Sequence, residues 1–211
     1  MYKKIATILT LALVSCQEQK VFVPQSDISL QTEVTNFTPV TFLYQEKDNN
    51  PQIEVKDKGI ITQTEWIFEV DKRLPLKLVI PEIQRLQDKK IKKAEGKVLS
   101  NYYTYMDTLT KQVAYMPFTQ VSYQDASLQM EQNAEKVDVK VTREGLLFVN
   151  EKLLENQTIT EYLQENFPLN QVTIYLAFDE NLTFNKYLQT KLNLAKIKQE
   201  NVRISTIEVV Y

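Results

Sequence analysis

Polar and apolar residues alternate in KVDVKV (136–141), where Val137, Val139 and Val141 share one side; this period of two predicts a half-buried strand. TREG supplies a turn at Gly145, and LLFVN (146–150) returns as a hairpin partner. The period then lengthens. Thr158 and Glu161 have capping-box spacing, Ile159, Tyr162, Leu163 and Phe167 fall on one helical face, and Pro168 ends the helix. VTIYLAF (172–178) is almost wholly apolar, which predicts a strand buried on both faces. Asp179 and Asn181 turn the chain, Thr183 caps a helix with Phe184, Tyr187, Leu188, Leu192 and Ala195 inward, and VRISTIEVVY (202–211) closes as a strand. The order β-β-α-β-α-β predicts an α+β unit, a mixed β-sheet with helices packed on one face.

The first half repeats this pattern in shorter form. WIFEVDKRLPLKLVIPEIQRL from 66 aligns with IYLAFDENLTFNKYLQTKLNL from 174 at an offset of 108, placing Asp71 on Asp179 and apolar residues on apolar residues. A second alignment sets VPQSDISL (23–30) on MPFTQVSY (116–123) at an offset of 93. The difference, 15 residues, matches the loop and first helix of the later unit, so the earlier unit reads as a copy without that helix, the alternative being the general likeness of any two strand-helix units. Its parts are VTFLYQ (40–45), a turn at DNNP, QIEVKD (52–57), the Trp66 strand, a helix after Pro75 and KVLSNYYTY (97–105). Pro81 suits a first helical turn, so that helix is expected to start near Ile80 or to kink.

At the start, Lys3 and Lys4 precede an apolar run from Ile5 to Val14, then Ser15 and Cys16, the one cysteine of the chain. Basic, apolar and small residues in this order make a secretory signal, and the run is shorter than the roughly 20 residues of a spanning helix. Leu13, Val14, Ser15 and Cys16 resemble the lipobox of bacterial lipoproteins. That resemblance implies cleavage before Cys16, acylation of its thiol with palmitate-type chains, and attachment to a lipid bilayer. The domain reading is therefore a signal peptide at 1–15, a lipidated Cys and short tether at 16–20, a shortened unit at 21–112 and a complete unit at 113–211.

Composition removes most chemistry. There is no histidine, and with Cys16 acylated no free thiol, so His- or Cys-based nucleophiles and zinc sites are absent. Three glycines cannot build a phosphate loop. Loss of Lys3 and Lys4 moves the formal charge from −2 to −4, which gives no electrostatic footprint for nucleic acid. No metal or cofactor is expected. Carboxylate-only chemistry stays formally open, but the acids are interspersed with Lys and Arg, and the chain is read as non-enzymatic.

The Val-alternating strand, REGLLFVNEK, IYLAFDENLTFNKYLQ and the terminal strand, with the extended VAYMPFTQVSYQDASL before them, resemble the periplasmic domain of the ExbD/TolR family over 113–211. The resemblance implies that fold, here in two tandem units, and partners of the ExbB, ExbD or TonB type. The family's transmembrane helix with its acidic residue has no counterpart here, since the apolar run holds no Asp or Glu; proton-coupled work is not carried over. The expectation is a periplasm-facing lipoprotein of the cell envelope that assists energy-coupled outer-membrane transport. The alternative is a structural lipoprotein binding peptidoglycan or another envelope protein. Candidate binding residues are Asp71 and Asp179, as partner-facing carboxylates or as turn acids, and Tyr102, Tyr103 and Tyr105, as exposed contacts or as strand packing. The extended segments at 21–30 and 116–123 are candidates for β-augmentation or for a homodimer through paired edges. Metabolic labelling with a palmitate analogue is expected to mark this polypeptide. An unmarked product, or a mature chain that keeps 5–14 as a spanning helix, would overturn the reading.

Overall fold

Parallel strand pairing around crossover helices organises both halves of the chain. The computed structural model describes residues 20–93, 96, 99–125, 135–155, 157–168, 170–197 and 199–211, so the signal, Cys16 and most of the tether lie outside the described residues. The first half contains β1 (Gln25–Ser26), β2 (Phe37–Lys47), β3 (Asn50–Lys56), β4 (Glu65–Val70), α1 (Leu76–Lys93), β5 (Asn101–Asp107) and β6 (Val113–Pro117). The second contains β7 (Ser122–Asp125), β8 (Glu135–Val141), β9 (Leu147–Val149), β10 (Lys152–Leu153), α2 (Ile159–Asn166), β11 (Val172–Phe178), α3 (Phe184–Leu194) and β12 (Val202–Val210). The class is α+β, with two mixed six-stranded sheets.

In the first sheet β5, β4, β2 and β3 are successive neighbours, and β1 and β6 both pair with β5. The tip of the β2–β3 hairpin has positive φ at Asp48 and Asn49, the pair of left-handed residues that a tight two-residue turn demands. The second sheet runs β10-β9-β8-β11-β12-β7, with β8, β11, β12 and β7 parallel. Gly145 turns β8 into β9 at φ +83°, where a Cβ would press on the Lys186 side chain at 3.0 Å. β6 joins the first sheet, so the division between sheets falls after Pro117 rather than before Val113.

One apolar cluster joins the inner faces of both sheets to the helices; it includes Phe42, Trp66 and Phe68 from the first half and Ile174, Phe178 and Phe184 from the second. β11 is covered on one face only: Val172, Ile174, Leu176 and Phe178 are buried, while Thr173, Tyr175 and Ala177 are partly exposed. The expectation of two buried faces fails because, among the described residues, no helix covers the outer one. Ala195, expected inward, is exposed at the end of α3.

The halves meet through a reciprocal set of backbone bonds. Leu76 N donates to Leu182 O at 3.0 Å and Phe184 N to Leu74 O at 2.8 Å; Lys77 N donates to Glu180 O at 2.8 Å and Asn185 N to Lys72 O at 3.1 Å. Each residue and its counterpart are 108 positions apart, and Pro75 bridges Thr183 between them. The 93-residue alignment sets 25–26 on 118–119, which lie outside any strand, whereas the strand that occupies the place of β1 in the second half, parallel to its last long strand, is β7 at 122–125.

These contacts correct the expected start of the first helix. α1 begins at Leu76, with Pro81 inside it, because its first N–H groups are taken by carbonyls of the other half. Thr183 makes no side-chain cap for the same reason, whereas α2 has the complete Thr158–Glu161 capping box. Pro81 lacks the N–H that would reach the Lys77 carbonyl one turn back. Pro81→Ala is expected to stabilise the protein by about 1–2 kcal/mol, the restored helix bond outweighing the looser unfolded chain. Urea titration at constant m would measure it.

Candidate functional site

The five residues marked for binding are mostly inside the molecule. Asp71 follows β4 and is buried. Its Oδ1 accepts from Arg73 N at 3.1 Å and Arg73 Nε at 2.9 Å, and its Oδ2 from Arg73 Nη2 at 2.8 Å and Phe22 N at 3.3 Å. Burial pushes this carboxyl up, but the bonds from Arg73 and Phe22 and the guanidinium charge outweigh it and hold it below its ordinary value. Asp71 is therefore not partner-facing; its oxygens are occupied within the chain. Asp179, after β11, is partly exposed and accepts from Asn181 N at 2.7 Å, an Asx turn matching the one at Asp71–Arg73.

Tyr102, Tyr103 and Tyr105 are buried, so none is an exposed contact. β5 is an interior strand: its even-numbered residues face β4 and β1 in backbone bonding and its odd-numbered ones face β6, which leaves no free edge around the tyrosines. Tyr103 stacks on Phe118 at 3.7 Å, and the Tyr105 hydroxyl accepts from Leu30 N at 3.1 Å. Tyr102 packs on the other face, with its hydroxyl 3.4 Å from Glu65 Oε1. The extended segments marked for edge pairing are also used internally, as β1, β6 and β7.

Tyr103 leads instead to a buried polar chain that spans the halves. Its hydroxyl lies 2.5 Å from that of Tyr123 on β7, which lies 3.1 Å from that of Tyr187 on α3. Tyr187 donates to Glu208 Oε2 at 2.8 Å, and Glu208 Oε1 takes a short charged bond from Lys191. Burial, reinforced by the Glu208 charge, raises the titration of all three phenols, so they are neutral at neutral pH. Lys191 and Glu208 were not anticipated. Their signal was a charge on an apolar face: Lys191 sits four residues after Tyr187, and Glu208 lies within an apolar strand. A second buried cation, Lys90 of α1, donates to Ser100 O at 3.1 Å and Asn101 Oδ1 at 2.8 Å and lies 4.7 Å from the Trp66 ring. Burial pushes it down to about 8, with Glu65 opposing the shift.

The outer face of the second sheet is open. A groove of about 670 Å³ lies there, lined by Lys136, Asp138, Lys140, Tyr175, Ala177 and Tyr211 among others. Lys136 sits 5.5 Å from the Tyr175 ring and Lys140 4.9 Å from the Tyr211 ring, and Lys136 pairs with Asp138 at 3.0 Å. Among the described residues no three acidic, Cys or His side chains are grouped to hold a metal, and no helix is long and apolar enough to cross a membrane. No family model, no curated protein and no solved structure matches the chain.

The buried pair tests the role of the polar chain. Lys191→Met alone is expected to cost about 3–5 kcal/mol, because Glu208 is left buried without its counter-charge; the double variant Lys191→Met/Glu208→Leu is expected to recover much of that loss. Denaturant unfolding of the wild type and three variants as a double-mutant cycle measures the coupling.

Proposed function

We propose that this chain is a non-enzymatic, lipid-anchored envelope protein built of two tandem ExbD/TolR-like units, which assists energy-coupled outer-membrane transport by contacting ExbB-, ExbD- or TonB-type proteins from the periplasmic side. The observation that carries the reading is the order β8-β9-α2-β11-α3-β12 with β8, β11 and β12 parallel, at the positions where the family resemblance lies. The reciprocal bonds at a spacing of 108 support two related units, the first without the α2 counterpart. The lipobox-like Cys16 supports the anchor.

The contacting surface in this reading is the open groove of the second sheet, since the buried carboxylate and tyrosines are committed internally. Crosslinking in intact envelopes followed by pull-down is expected to recover an ExbB-, ExbD- or TonB-type protein, and Tyr175→Ala in the groove is expected to weaken recovery without unfolding the chain. Recovery of none with several crosslinkers would reject the transport role.

The groove also favours a second reading, a structural lipoprotein that binds peptidoglycan through its aromatic and lysine side chains. Co-sedimentation with purified cell wall, without transport partners in the crosslinked material, would favour that alternative.

A further inference from the structure

The segment just after the tether is held by a dedicated clamp. β4 pairs with β5 as far as Phe68 and Tyr103, and the N-terminal segment takes over that edge, Met106 N donating to Pro24 O at 2.9 Å and Thr108 N to Ser26 O at 2.8 Å; Lys72 N, just past β4, donates to Phe22 O at 2.8 Å. The Asp71 carboxylate receives the Phe22 N–H, and the Arg73 guanidinium lies between the rings of Phe22 and Tyr44, at 5.0 Å and 4.3 Å. The chain is thus fixed to the body at residue 22, six residues beyond Cys16. Six extended residues reach at most about 20 Å.

The end of the sheet where this happens is apolar at its tip. Phe22 is 52% exposed although it is clamped, and Leu109, in the turn that follows β5, is 74% exposed, the highest value among the large apolar residues described. Val113 is also exposed and pairs with Met106 at the same end. The charges at that end are mixed, Lys20, Lys47, Lys72 and Lys111 with Asp27, Glu46 and Asp48, the register placing the tip of the β2–β3 hairpin there too, so apolar contact and the short tether, rather than attraction to anionic lipid, set the orientation.

We propose that the end of the first sheet carrying Phe22, Leu109 and Val113 rests on the phospholipid surface, with the Asp71–Arg73 clamp holding the body in one orientation over its anchor. This rests on the reading of Cys16 as the lipid-bearing residue. In that orientation the first residues of β5 and the end of α1 point away from the bilayer. Ile91 lies 15 residues along α1 from Leu76, about 22 Å at the helical rise, and lines a cleft with Asn101.

The test uses the lipidated chain in phosphatidylcholine vesicles. Because Cys16 is taken up by its lipid, Phe22→Cys, Leu109→Cys and Ile91→Cys each add one free thiol for a nitrobenzoxadiazole fluorophore. Nitroxide-bearing lipids are expected to quench the probes at 22 and 109 and to leave the probe at 91 bright. Hydrogen exchange on the unsubstituted lipidated chain is expected to slow at 20–24 and 108–111 when vesicles are present. Equal quenching at all three sites, or unchanged exchange, in a chain that carries the palmitate label overturns this orientation alone. A chain that carries no label overturns the anchor and the orientation together.

Discussion

Two helix starts that lack side-chain caps depend on each other. Pro75 has no side-chain oxygen and Thr183 makes no cap, yet the N–H groups at the head of α1 and α3 are not orphaned: each pair donates to carbonyls in the strand-to-helix turn of the other half. A buried, unsatisfied N–H costs about 1–3 kcal/mol, so four such bonds make separation of the halves expensive. Leu74 and Leu182, which supply two of the acceptors, are fully buried, so water cannot replace the missing half without exposing core. Among the described residues no other segment bonds the head of α2, which carries its own capping box.

A buried polar chain in the second half reaches across the same junction at one point. Tyr123, Tyr187, Lys191 and Glu208 come from β7, α3 and β12 of the second half and satisfy one another there, and the Tyr103–Tyr123 bond joins β5 of the first half to them. A buried ion pair of this kind contributes less to stability than to the definition of a single arrangement. α1 and α3 extend the arrangement at the margins: Gln84 and Gln87 of α1 donate to the carbonyls of Tyr123 and Val121, and Gln189 of α3 donates to that of Gln25. Each long helix therefore covers polar backbone belonging to the other half.

Local periodicity was enough to place most elements. The alternation of Val137, Val139 and Val141, the Gly145 turn, the Thr158–Glu161 cap and the helix face of Phe184, Tyr187, Leu188 and Leu192 all depend on neighbours within a turn or a strand, so they were legible along the chain. The strand, turn and helix after Trp66 and those after Ile174 were legible too, because each depends on neighbours along the chain.

The candidate binding residues were not legible, since the same letters suit a surface and a core. An aromatic run such as Tyr102–Tyr105 is compatible with either until long-range pairing shows β6 on one edge of β5 and β4 and β1 on the other. Asp71 reads along the chain as a partner-facing carboxylate or a turn acid; it is a turn acid bound by Arg73, and the other group that occupies it, the Phe22 N–H, is 49 residues away. Pro81 argued for a later helix start because the carbonyls that satisfy Leu76 and Lys77 lie more than a hundred residues downstream. Propensity and spacing report on neighbours in the chain, whereas burial and hydrogen-bond satisfaction are settled by whichever distant segment arrives alongside.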